Sequence, residues 1–248
     1  QMNYRTLTAS IVTIALASAA HADEYDWQGF YFGLNGGFAD ITSDTSREMT
    51  VLGGYVPQDA LDIEAASLIK QSPGGFTGGG QVGVNWLSSG FLFGLEADFN
   101  SVDANENDSV TANWTILYGG ANELTTTAET DMEWLATVRA RLGTMAGGYL
   151  LYVTGGAAFA DVTFTQGFSE TTFPVPFSSL TASETMSGWT AGAGIEVPVG
   201  TNLTIKGEYL YVDLGSIDTV GSVGVGSVYN GKADITSNVY RVGINIKL

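Results

Sequence analysis

The sequence predicts an all-β fold, an eight-stranded antiparallel up-and-down transmembrane β-barrel, and three observations carry the prediction. Eight segments, at about 28–40, 76–87, 91–102, 132–145, 149–162, 187–197, 203–214 and 238–248, alternate apolar with small or polar residues at a period of two. The connections between them alternate strictly between long and short. Glycine, at 33 of 248 residues, gathers on the polar face of these segments rather than on the apolar one.

Each segment justifies itself in order. The first sets Phe30, Phe32 and Leu34 against Gly33 and Asn35; the second sets Val82, Val84 and Trp86 against Gln81, Gly83 and Asn85. In the third and fourth, Phe91, Phe93, Leu95 and Phe99 oppose Gly94, Glu96 and Asp98, and Trp134, Val138 and Leu142 oppose Arg139, Arg141 and Gly143. The fifth sets Leu151, Val153 and Phe159 against Thr154 and Gly156, and the sixth sets Trp189, Ile195 and Val197 against Gly192, Gly194 and Glu196. The last two oppose Leu203, Ile205, Tyr209 and Tyr211 to Lys206 and Glu208, and Tyr240, Val242, Ile244, Ile246 and Leu248 to Arg241, Gly243, Asn245 and Lys247. All are long enough to cross a hydrocarbon core, which takes about 9–11 tilted residues.

Short connections fall at 88–90, 146–148 and 198–202, and long polar ones at 41–75, 103–131, 163–186 and 215–237. A meander therefore places short turns at one end, the periplasmic one, and four long extracellular loops at the other. A short helix over 60–70 is compatible with the first loop but not required by it.

Glycine decides which face points inward. A face open to water gains nothing from missing side chains, whereas a narrow lumen crossed by Arg and Glu needs the space. The polar face is therefore expected inside and the apolar face against lipid, in a closed barrel that leaves no unpaired backbone edge in hydrocarbon. Arg139 and Arg141 then face Glu96 and Asp98, and Glu196, Lys206, Glu208 and Arg241 continue a lumen ion-pair network. Of the nine Lys and Arg residues, Arg5 lies in the leader described below, and five of the other eight take inward positions. Buried charges persist only when paired, so the network reads as a plug. Aromatic girdles are expected from Trp86, Phe91 and Tyr149 near the inner interface, and from Phe99, Trp134, Trp189, Tyr209, Tyr211 and Tyr240 near the outer one.

Composition excludes several function classes. Charged residues make up 14% of the chain, against about 25% in ordinary soluble domains. The net charge of −17 leaves no basic patch for a nucleic acid. No cysteine means no disulfide, thiol nucleophile or thiolate metal site. Residues 1–22 read as a secretory signal peptide, with Arg5, the apolar run "IVTIALASAA" and the small-x-small pattern Ala20-His21-Ala22, leaving 23–248 as the barrel. Cleavage there removes His21, the only histidine.

The stretches "WQGFYFGLNGGF", "GFTGGGQVGVNW", "FLFGLEADF", "LATVRARLG", "LLYVTGGAAFADV", "GWTAGAGIEVPV", "LTIKGEYLYVDLG" and "VYRVGINIKL", in this order, resemble the alphaproteobacterial outer-membrane β-barrel family, small porin-like surface proteins with an OmpA-like eight-stranded barrel. The resemblance covers the strands and not the loops. It implies residence in the bacterial cell outer membrane among its lipids, and insertion by the outer-membrane assembly machinery, which reads the last strand. Such strands commonly end in an aromatic; this one ends in Leu248.

Local motifs add no chemistry. "GVGSVYNGKA" nearly spells a phosphate loop but has Ala233 where Ser or Thr is needed, and "GGGQVG" lies inside a strand rather than at a strand-to-helix turn. Asp103, Asn105 and Asn107 have calcium-loop spacing, but Asp108 and Trp114 replace the required Gly and Glu. No cofactor is implied. The reading is a non-enzymatic surface protein that contributes to envelope integrity and meets an extracellular ligand or host surface. The alternatives are a narrow channel for ions or small solutes and a haem- or host-protein-binding surface protein.

Overall fold

In a computed structural model of the chain, strands β1 (Gly29–Val51), β3 (Gly74–Ser88), β4 (Phe91–Ile116), β5 (Gly120–Ala146), β6 (Tyr149–Glu170), β7 (Phe173–Pro198), β8 (Leu203–Ser222) and β9 (Ser227–Lys247) form one antiparallel ring, with a two-residue strand β2 (Lys70–Gln71) beside β1. The structure describes residues 25–51, 70–71, 74–116, 120–170, 173–222 and 227–248. Sequential strands are neighbours, and β9 returns to β1 in register from Tyr31↔Lys247 to Val51↔Ser227, closing the wall. The expected leader with His21, and residues 60–69 of the candidate helix, lie outside the described residues.

The short turns follow from local chemistry. Ser89 (φ 53°) and Gly90 (φ 85°) join β3 to β4, and Gly147 (φ 60°) and Gly148 (φ 84°) join β5 to β6. Two consecutive positive φ angles are what a tight hairpin needs to match the strand twist. Between β7 and β8 the Val199 N–H donates to the Leu203 carbonyl at 2.9 Å.

Orientation is unambiguous. Phe93 and Val138 are 47% and 55% exposed while Arg139 is 1% exposed, so the apolar face is the outer one. Val197, read from alternation as lipid-facing, is instead buried beside the last short turn.

The strands run well past their sequence pattern. Much of 41–51, 103–116, 120–131, 163–170, 173–186 and 227–237 is paired β structure. The calcium-like spacing at Asp103 therefore lies on extended β4, and residues 227–233 of the phosphate-like motif lie on β9. Alternation weakens there because polar residues such as Ser43, Thr130, Gln166 and Ser237 share the inner face with apolar ones.

Pairing in the extensions is incomplete, with a structural consequence. β7 and β8 pair only from Trp189↔Asp213 to Pro198↔Thr204, and β3 stops at Gly74. Beyond those points β4, β5, β6 and β7 remain one sheet, and β8, β9, β1 and the short β2 another. The inner faces of the two sheets meet in an apolar core. It includes Ile41, Leu210, Val212, Leu214, Ile217 and Ile235 from one sheet, and Met132, Leu135, Ala160, Val162, Phe164 and Met186 from the other. A polar interior was expected along the whole barrel. The buried charges are confined to the half nearer the short turns, and beyond them the interior is largely apolar, with Ser43, Thr130, Gln166 and Ser237 as buried polar residues. Where hydrogen bonds no longer join the two sheets, packing of their apolar faces has to do so.

Candidate functional site

The polar half of the interior is built by cross-strand register. Glu96 on β4 stands directly across from Arg139 on β5, and Lys206 on β8 directly across from Glu196 on β7. Arg139 donates from Nη2 to Glu96 Oε1 at 2.5 Å and Asp98 Oδ2 at 2.9 Å, and from Nη1 to Glu208 Oε1 at 3.1 Å. Lys206 Nζ donates to both Glu96 oxygens at 2.9 Å. Arg241 donates from Nε to Glu208 Oε2 at 2.6 Å and from Nη2 to Asp98 Oδ2 at 3.1 Å. Arg141 donates from Nη2 to Glu196 Oε2 at 2.7 Å and from Nη1 to the Tyr31 hydroxyl at 2.6 Å.

Neutral donors complete the shell. Tyr31 donates to Glu96 Oε2 at 2.7 Å and Tyr152 to Glu208 Oε1 at 2.8 Å. Thr137 and Asn100 donate to Asp98 at 2.6 and 2.7 Å, and Thr204 and Asn245 to Glu196 Oε1 at 2.5 and 2.7 Å. Gln81 donates in turn to Asn245, and Asn35 to Gln81. Four carboxylates thus meet four cations, and every carboxylate oxygen accepts at least one hydrogen bond. The structure brings all eight charged residues named from sequence into this one buried cluster.

Sequence reasoning passed over Tyr31 and Tyr152, which lie among apolar runs. The Arg141 guanidinium sits 4.0 Å from the Tyr152 ring centroid and 5.6 Å from that of Tyr31, a cation–π sandwich. Parity was the available signal, since Tyr31 alternates with lipid-facing Phe30 and Phe32.

A second omission closes the end with the short turns. Trp27, ahead of β1, is buried with Leu92, Leu150 and Tyr152, and Tyr25 packs edge-on against it with ring centroids 4.7 Å apart. The segment is clasped to the last strand: Lys247 Nζ donates to Asp26 Oδ2 at 2.5 Å and to the Asp26 carbonyl at 2.8 Å. The hydrogen bond from Lys247, with that from the Gln28 backbone N–H, holds the Asp26 carboxyl below its ordinary value. Burial, reinforced by the charges of Glu196 and Asp26, pushes the Tyr25 phenol up to about 12.

The aromatic residues named from sequence fall toward the two ends of the lipid-facing wall. Trp86, Phe91 and Tyr149 flank the short turns. Toward the other end, Phe99 stacks on Trp134 at 5.6 Å, Trp189 packs on Tyr211 at 5.5 Å and Tyr209 on Tyr240 at 5.2 Å. Phe38 and Phe76, not expected there, add a further pair at 6.0 Å. Among the described residues no group of three His, Cys, Asp or Glu has an arrangement that could hold a metal ion.

The ring, the lipid-facing apolar wall and the buried charges meet one further finding: the outer membrane protein beta-barrel domain family matches residues 9–246. The chain belongs to that family. It is similar to the 31 kDa outer-membrane immunogenic protein of Brucella melitensis, 34% identical over 236 residues, covering 93% of this chain and 87% of that one. It is 27% identical over 223 residues to the 22 kDa outer membrane protein of Rhizobium leguminosarum bv. viciae, covering 89% and 78%. Among solved structures, the outer membrane protease OmpT from Escherichia coli aligns at a TM-score of 0.48 and 7% identity, over 88% of this chain and 96% of that one. As a member of the outer-membrane barrel family, the chain resides in the bacterial outer membrane, in contact with its lipids.

Proposed function

We propose that this barrel is a non-enzymatic surface protein whose lumen is sealed, contributing to envelope integrity and to contact with an extracellular ligand or host surface. The observation that carries the proposal is the charge-balanced cluster, buried between the Trp27 end and the apolar sandwich. With every oxygen of its four carboxylates engaged, the cluster leaves none of them as a general base. The name of the Brucella relative, an immunogenic protein of the outer membrane, supports surface exposure.

The aromatic pairs support the membrane placement. From Tyr149 to Phe159 on β6, about ten residues rising ~3.3 Å each and tilted by about 40° span about 25 Å, the height of an outer-membrane apolar band. Insertion then falls to the outer-membrane assembly machinery, acting on β9 as the strand that closes the ring on β1.

Planar-bilayer recording tests the sealed lumen. The wild type is expected to be silent, and discrete openings that change on Arg139→Ala would replace this reading with a narrow channel.

A further inference from the structure

Beyond Trp189 and Asp213, no ladder pair joins β7 to β8 among the described residues, which leaves a seam in the wall. Near the base of the seam, Gly215 (φ 78°) follows a bulge in the β8–β9 ladder, and its N–H donates to the Asp213 carboxylate at 3.0 Å. β7 carries Pro174 and Pro176, which have no N–H to offer. Bulges and prolines are how sheet edges avoid adding strands.

Behind the seam, on the inner face of β1 and β9, two further residues lack an evident reason. Ser43 and Ser237 are 0% and 1% exposed, and neither hydroxyl has a hydrogen-bond partner. Their register partners, Ser43↔Ile235 and Ile41↔Ser237, make them diagonal neighbours on the inner face of β1 and β9, among residues of the apolar core. An unpaired buried hydroxyl destabilises a fold, so two together point to a polar group that arrives with a ligand.

We propose that the two-sheet core is a binding site for a single-chain amphiphile, an acyl chain with a small polar head, admitted between β7 and β8. In this region no ladder pair joins β7 to β8 among the described residues, and the facing inner surfaces are largely apolar, so a chain entering between the sheets replaces the apolar contacts it disrupts. Met132 and Met186, flexible and polarisable, suit a lining that must reshape. Ser43 and Ser237 would receive the head group. Trp189 and Tyr211 flank the base of the seam on the lipid side, which puts the entrance beside the membrane surface. The site is separate from the ion-pair cluster, so its failure would leave the sealed-lumen reading untouched.

The test uses the full barrel in lipid nanodiscs with cis-parinaric acid as a fluorescent fatty acid, and diphenylhexatriene as a headless apolar probe. Saturable binding of both above empty nanodiscs is expected, lost when Ala160→Trp fills the core. The paired change Ser43→Ala with Ser237→Ala, which only removes the unpaired hydroxyls, is expected to weaken parinaric acid about tenfold and leave diphenylhexatriene unchanged. Faster uptake of acid preloaded in the bilayer supports a leaflet source, and faster uptake from water supports the medium. Absence of saturable binding by the folded wild type, or equal affinity for parinaric acid in the folded serine variant, overturns the proposal.

Discussion

Gly83 stands directly across the β1–β3 pair from Tyr31, and the Tyr31 ring occupies the space that a side chain on Gly83 would need. The same relationship holds between Tyr152 and Gly194 across β6 and β7. Each tyrosine lies over a glycine and so reaches the charge cluster. Gly83→Ala should displace Tyr31 from Glu96 and Arg141 and cost about 1–3 kcal/mol. A double-mutant cycle with Tyr31→Phe, read by urea unfolding in detergent, should give a combined loss smaller than the sum of the two.

Glu96 is the hub, contacted by Arg139, Lys206, Arg141 and Arg241 within 3.7 Å. Glu96→Gln leaves an excess buried positive charge and should destabilise the barrel by about 3–5 kcal/mol. Replacing Asp26, whose clasp lies at the surface, should cost much less. Equal losses in urea titrations of the two variants would contradict the hub assignment.

The clasp predicts an acid response. Because the folded state holds Asp26 below its ordinary value, near 3.9, its stabilising effect is present at neutral pH. It is full above about 3.9 and is lost as pH falls from there through the lowered folded value. Trp27 fluorescence should therefore stay constant down through the usual aspartate range and change below it, and Asp26→Asn should remove that transition.

Tyr25 gives the alkaline counterpart. Its phenol is raised to about 12 in the fold, against about 10 in an unfolded chain. The stabilisation it provides is full below about 10 and is lost as pH rises toward about 12. Ultraviolet titration near 295 nm should show a late-ionising phenol that Tyr25→Phe removes.

Lipid contact is tested on the outer face. Val138→Arg lies near the middle of the apolar band and should cost about 2–4 kcal/mol of folding into vesicles, whereas Thr163→Arg, on β6 beyond Phe159, should cost about 0–1 kcal/mol. Similar losses at both sites would move the membrane boundary.

The sequence by itself determined the eight strands of the ring, the turns at Gly90 and Gly147–Gly148, and the side on which the alternating strand residues sit, Val197 excepted. These are local properties, because alternation has a period of two and a two-residue hairpin needs positive φ. It also named the eight charges, since ionised side chains at alternate positions in apolar strands have only one direction compatible with lipid. Tertiary structure alone decided how those charges pair around the ring, how Tyr31 and Tyr152 fold over glycines into the lumen, and how Trp27 turns back beneath them. It also decided that β3 ends early, that β7 and β8 part above Trp189, and that the interior there is largely apolar. Each of these depends on which strands are neighbours and how far their ladders run, and residues far apart in the chain set those limits together.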